Sequence, residues 1–111
     1  SRMKDFFDIW LTMHQFDFNG ANLAGALKKT FDHRKADLPK ARPLFAEEIY
    51  DERSDRQTLW KAFLRKGDIT NAPDKLGTIA EEIEDFLAEP LDALNKGSEF
   101  TKEWKSSGPW K

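Results

Sequence analysis

Arg2, Lys4, Asp5 and Asp8 fall within seven consecutive positions of the segment Arg2-Met3-Lys4-Asp5-Phe6-Phe7-Asp8-Ile9-Trp10. A base set among two acids is the kind of cluster that holds charged groups or moves protons. On a helix of 3.6 residues per turn, Met3, Phe6, Phe7, Trp10, Met13 and His14 share one broad apolar face, while Lys4, Asp5, Asp8 and Thr12 share a narrow opposite strip. Helix stability does not select that strip. Lys4 precedes Asp8 in the poorer order for an i,i+4 pair, and Asp5 and Asp8 are a like-charge i,i+3 pair. The pattern alone therefore reads first as the solvated face of a surface helix, and a functional reading needs a further reason.

Resemblance supplies that reason. The segment Arg2-x-Lys4-Asp5-Phe6-Phe7-Asp8-Ile9-Trp10 resembles the R-x-K-D-(F/Y)-(F/Y)-D-(L/I)-W element of the AbiEii/AbiGii nucleotidyltransferases, toxins of type IV toxin-antitoxin and phage-abortive systems. Asp17-Phe18-Asn19-Gly20-Ala21-Asn22-Leu23-Ala24, followed by Ala26, Thr30-Phe31 and Arg34, is similar to the family's next helix. Trp60-x-Ala62-Phe63-Leu64-Arg65 is similar to a later one, and Gly108-Pro109-Trp110-Lys111 to its ending, with looser agreement over residues 35–58. The resemblance implies that the catalytic core, of polymerase-beta type with a Gly-Ser turn and an acidic pair carrying Mg²⁺, lies upstream of this element. Gly97-Ser98 does not supply that turn, because it follows a long helical pattern and no Asp-x-Asp comes after it. Since the sequence begins at Ser1, immediately before the motif, residues 1–111 are expected to be the C-terminal helical domain of a longer nucleotidyltransferase-like protein.

Length and composition narrow the remaining classes. At 111 residues the chain has the size of one domain. Apolar residues are only 39%, but 9 Phe and 4 Trp give a small core large side chains to bury. A net charge of −2 gives no global pull toward nucleic acid or membrane. With no cysteine there is neither a disulfide framework nor a thiolate metal site. His14 and His33 stand in no metal-ligand spacing, and His14 is expected at a core edge. No apolar run approaches the roughly 18 residues of a spanning helix, and no signal-peptide block opens the chain. A cytoplasmic location is expected.

These residues are positioned by helices. The first is expected to run to about Gln15, and Phe16-Asp17-Phe18-Asn19-Gly20 reads as a short turn with Asn19 or Gly20 opening the next. Asp17-x-Asn19-Gly20 has too few ligands for a calcium loop. The second helix presents Leu23, Leu27 and Phe31, and ends among Lys28, Lys29, His33, Arg34 and Lys35, where positive charge suits a helix C-terminus. Pro39 and Pro43 make residues 36–43 a connecting loop, after which Leu44, Phe45, Ile49 and Tyr50 suggest one or two helical turns. Ser54-Asp55-Arg56-Gln57 has the form of a capping box, opening a helix expected to bury Leu59, Trp60, Phe63 and Leu64 and to stop at Gly67. The longest helix carries Leu76, Ile79, Ile83, Phe86, Leu87, Pro90, Leu91 and Leu94 on one stripe, with Gly97 beyond its end and an expected kink at Pro90, which removes one internal hydrogen bond. Alternating β-type segments are absent. The expected fold is all-α, a compact bundle of four main helices and one short helix with the aromatic tail of Phe100, Trp104 and Trp110 packed on it. Trp60, Phe63, Ile83 and Leu87 are its expected core.

The function implied by the resemblance is completion of a metal-dependent nucleotidyl-transfer site. Lys4, Asp5 and Asp8 are the expected catalytic residues, and Lys4, with Arg2 beside it, is expected to bind a triphosphate. By family analogy Asp5 and Asp8 could orient Lys4, hold a metal-bound water or act as a general base. Mg²⁺ and a nucleoside triphosphate would belong to the full-length protein, with no metal site in this chain, which is not expected to be active alone. The competing reading is a non-catalytic module that holds RNA or a protein partner: Lys28, Lys29, Arg34, Lys35, Lys40 and Arg42 outnumber Asp32 and Asp37, and the family's acceptors include transfer RNA. A solvated helix end explains those bases equally well. The implied partners are the upstream domain, transfer RNA or another RNA, and an antitoxin, with no membrane.

Overall fold

The most strongly amphipathic stretch of the sequence becomes the spine of the fold. The computed structural model describes residues 2–40 and 42–111, so the middle of the expected 36–43 loop, at Ala41, lies outside the described residues. Helix α1 spans Arg2–Gln15, strand β1 Phe18–Asn19, α2 Gly20–Arg34, α3 Glu47–Tyr50, α4 Asp55–Lys66, α5 Leu76–Lys96 and strand β2 Glu103–Trp104. All of α1 to α4 pack against α5. Leu76, Ile79, Ala80, Ile83, Phe86 and Pro90 are buried along it, and the helix runs through Pro90 unbroken. It ends where Gly97 takes φ 66°, a left-handed cap that glycine adopts without a Cβ clash.

Trp60 of α4 is fully buried, and its Nε1–H donates to the Pro73 carbonyl at 2.9 Å. Phe63 and Leu87, expected in the core, are only half-buried on its margin, and Leu59 is 49% exposed. The expected stripes are too wide: Leu59 and Phe63 on α4, and Leu87 and Leu94 on α5, fall outside the buried band. A short helix has room for only a narrow band against its neighbours, and on α4 Gln57, Trp60 and Leu64 fill it.

The capping box does not form. Ser54 stands at the N-cap of α4, but its hydroxyl donates to the Glu48 carbonyl at 2.5 Å, and Gln57 turns away to another helix. Gln57 Nε2 donates to the Asp74 carbonyl, and Gln57 Oε1 accepts from the Leu76 N–H, both at 2.8 Å. Gln57 thus caps α5, whose own N-cap residue, Lys75, makes no side-chain cap. A second buried polar group ties down the loop before α3. Glu84, 3% exposed, accepts from the Leu44 N–H at 3.1 Å and from the Tyr50 hydroxyl.

A two-stranded sheet departs from the expected absence of β structure. Strand β1 pairs antiparallel with β2, Phe18 opposite Trp104 and Asn19 opposite Glu103. Strands of two residues are too short to show an alternating pattern, and their partners lie more than eighty positions apart. The pairing needs Gly20: its N–H donates to the Lys102 carbonyl at 2.8 Å, and a Cβ there would meet Phe100 Cδ2 at 2.7 Å. The tail folds back as expected. Trp104 and Trp110 are buried against Phe86, and the Trp110 Nε1–H donates to the Phe86 carbonyl at 2.8 Å.

Candidate functional site

The apolar face of α1 fixes where its charged strip points. Met3, Phe6, Trp10 and Met13 are buried, Phe6 edge-on to Phe45 with ring centroids 5.2 Å apart, so Lys4, Asp5 and Asp8 are left on the exposed side. Lys4 Nζ lies 2.6 Å from Asp8 Oδ2, with the two side chains 65% and 51% exposed. The hydrogen bond to Asp8 and then the Asp8 charge raise the Lys4 ammonium above lysine's ordinary range, with Asp5 adding least. The ammonium is a permanent cation at neutral pH. Asp5 makes no ion pair among the described residues.

Arg2 is an i,i+3 neighbour of Asp5 but lies on the other side of α1 from Lys4. Two positions away on a helix is about 200° round the axis, and Arg2 lines a cavity on the other side with Met3, Phe6, Phe45, Ile49 and Arg56, to which Lys4, Asp5 and Asp8 contribute nothing. Asp8 instead borders an apolar trough of about 320 Å³ between α1, α2 and α5, with Ile9, Thr12, Leu23, Leu27 and Leu87 along its walls. Asp8 and Thr12 thus form part of the polar rim of an apolar surface.

Among the described residues no group of three or more His, Asp or Glu side chains is placed to hold an ion. Asp5 and Asp8 are the only acids of the strip, and the Asp8 carboxylate is engaged by Lys4. Two carboxylates, one of them in an ion pair, make no closed protein cage; Mg²⁺ is commonly held by one or two carboxylates together with waters and substrate phosphates.

The bases at the end of α2 are all exposed. Lys28 pairs with Asp32 at 3.2 Å along the helix, whereas Lys29, Arg34 and Lys35 make no ion pair among the described residues. Lys35 closes α2 in the left-handed region, φ 54°. Beyond the loop, Arg42 reaches Asp85 at 3.0 Å.

One cluster was not legible in the sequence. His14 Nδ1 lies 2.7 Å from Ser107 Oγ, and His14 Nε2 lies 2.8 Å from Glu82 Oε1. A serine, an imidazole and a carboxylate in a chain resemble a hydrolytic triad, and Ser107 has φ 72°. Its surroundings argue for a clamp. The Ser107 N–H is spent on the Met13 carbonyl at 2.9 Å and the Gly108 N–H on the Lys105 carbonyl at 2.6 Å, so neither can stabilise an oxyanion. The Met13 carbonyl also accepts from Trp104 Nε1 at 2.8 Å, and Glu82 accepts from Trp10 Nε1 at 3.3 Å, so the cluster fastens the tail to α1 and α5. His14 sits at the core edge, as expected.

Comparison with known families agrees with the motif. A family model described as nucleotidyl transferase AbiEii toxin, type IV TA system, matches residues 1–96, from α1 to the end of α5, leaving the tail strand and Trp110 beyond the matched span. No curated protein and no solved structure matches the chain. No helix among the described residues is long and apolar enough to cross a membrane.

Proposed function

Because the chain belongs to the AbiEii nucleotidyl transferase toxin family, we propose that residues 1–111 are the helical C-terminal part of such an enzyme and that Lys4, Asp5 and Asp8 complete its nucleotidyl-transfer site. The observation that carries this reading is the Lys4–Asp8 pair, 2.6 Å long and exposed on the one helix face that the core does not use. Asp8 keeps the ammonium extended and charged, and a triphosphate oxygen can replace one of its solvent contacts without breaking the pair, since an ammonium has three donors. Asp5 lies one turn from Asp8 and is the freer carboxylate to take a proton from an acceptor hydroxyl. Mg²⁺, on this reading, is held by acids outside residues 1–111. The trough beside Asp8 offers an upstream catalytic domain an apolar surface adjoining the strip.

The unpaired bases Lys29, Arg34 and Lys35 favour a second role for the same domain, holding the phosphates of an RNA acceptor. The type IV toxin-antitoxin description of the family supports an antitoxin protein as a further partner.

The test is made in the full-length protein. Lys4→Ala and Asp8→Ala should each abolish or severely lower nucleotide transfer at an unchanged melting temperature, because neither side chain is packed in the core. The 111-residue chain by itself should transfer nothing from any nucleoside triphosphate. Wild-type turnover in the Lys4→Ala enzyme would falsify the reading, and activity lost together with stability would make the pair a helix brace.

A further inference from the structure

We infer that Arg2 and Arg56 form a phosphate-binding pocket separate from the Lys4–Asp8 strip. The two arginines, both exposed, stand 54 positions apart in sequence and line one cavity of about 180 Å³ between α1, α3 and α4. One acid, Glu48, shares the lining with the apolar side chains Met3, Phe6, Phe45 and Ile49.

Three observations point to an anionic ligand there. Neither arginine makes an ion pair among the described residues, although Arg42, Arg53 and half of the lysines do. Arg56 occupies the second position of α4, in the first helical turn, where a cation opposes the helix dipole and an anion is favoured. With Glu48 counted, the cavity keeps one surplus positive charge. Helix stability therefore does not account for Arg56, and salt bridging accounts for neither arginine.

The chemistry of the donors selects the ligand class. Two guanidinium forks present up to ten N–H donors, far more than one carboxylate can accept, whereas a phosphate offers several oxygens and up to two negative charges to both forks at once. The phosphate could belong to a nucleotide's tail or to an RNA end, and the cavity selects the group these two share.

The test is a titration of the isotopically labelled chain, following backbone amide shifts. Pyrophosphate should give saturable shifts at Phe6, Ile49 and Arg56. Arg2→Gln and Arg56→Gln should each weaken binding by about tenfold or more, and Arg56→Lys, which keeps the charge and loses the fork, by less. Tighter binding of a nucleoside triphosphate would assign the source to a nucleotide, and tighter binding of a 5′-phosphorylated RNA oligonucleotide than of its dephosphorylated form would assign it to an RNA end. The absence of saturable shifts, or equal affinity in Arg56→Gln, would overturn the pocket. Shifts confined to Lys4, Asp5 and Asp8 would also overturn it while leaving the proposed function standing.

Discussion

Replacing Gln57 by alanine should be among the most damaging single changes in this fold that remove no large apolar side chain. Gln57 is 7% exposed and makes two side-chain bonds of 2.8 Å, one to the Asp74 carbonyl and one from the Leu76 N–H. Leu76 opens α5 and is fully buried, so no water can take over as acceptor for its N–H. Two hydrogen bonds contribute about 1 kcal/mol each, and a buried donor left without a partner raises the loss toward its desolvation cost, so the change should destabilise by roughly 2–4 kcal/mol. Against a total of about 5–15 kcal/mol for a domain of this kind, that is a large share. Urea denaturation should show the midpoint falling by roughly 1–2 M with the slope preserved. Ser54→Ala is the control, because a capping box would make Ser54 the residue that matters for α4. If Ser54→Ala costs as much as Gln57→Ala, or if Gln57→Ala costs under about 0.5 kcal/mol, the cross-helix cap is refuted.

Ile83→Ala, at a fully buried site, should cost about 2–5 kcal/mol, whereas Leu87→Ala, at a half-buried site, should cost less than half of that; equal losses in denaturation midpoints would contradict the packing described for α5. Burial first, and then the hydrogen bond to Glu84, raise the Tyr50 phenol above its ordinary value of 10.0. Above that pH the unfolded chain releases the proton and the native chain retains it, so stability should fall as pH rises past the unfolded value. Tyr50 is the only tyrosine, so the folded protein should lack the usual phenolate absorbance rise at pH 10, and a normal titration curve for the native state would disprove the burial argument.

How much of this was legible in the sequence follows from the range over which each feature is determined. Periodicity is local, and it located α1, α2, α4 and α5 and their stops, including Gly67 and Gly97 as helix-ending glycines. The charged strip of α1 was legible for the same reason, since the residues that must be buried leave Lys4, Asp5 and Asp8 only one direction to face. The separation of Arg2 from Lys4 was implicit in the helical angle, but what Arg2 would meet was not, because Arg56 arrives through the packing of α3 and α4 against α1 and α5. Non-local polar bonds escape any pattern. Gln57 to Leu76, Glu84 to Tyr50, and Ser107 to His14 to Glu82 each join segments at least 19 positions apart. The first of these was misread because a Ser-x-x-Gln spacing has a local solution that competes with the tertiary one. Burial decides that contest. A glutamine near the start of an exposed helix can reach back to its own N-cap, but Gln57 stands one turn before Trp60 on the buried face, and a buried amide must satisfy its donor and its acceptor where it lies. The nearest unsatisfied groups there belong to the first turn of α5. The same physics separates the strip of α1 from these clamps: Lys4 and Asp8 are exposed, so burial imposes no partner on them, and their juxtaposition remains open to a ligand in a way that the buried networks are not.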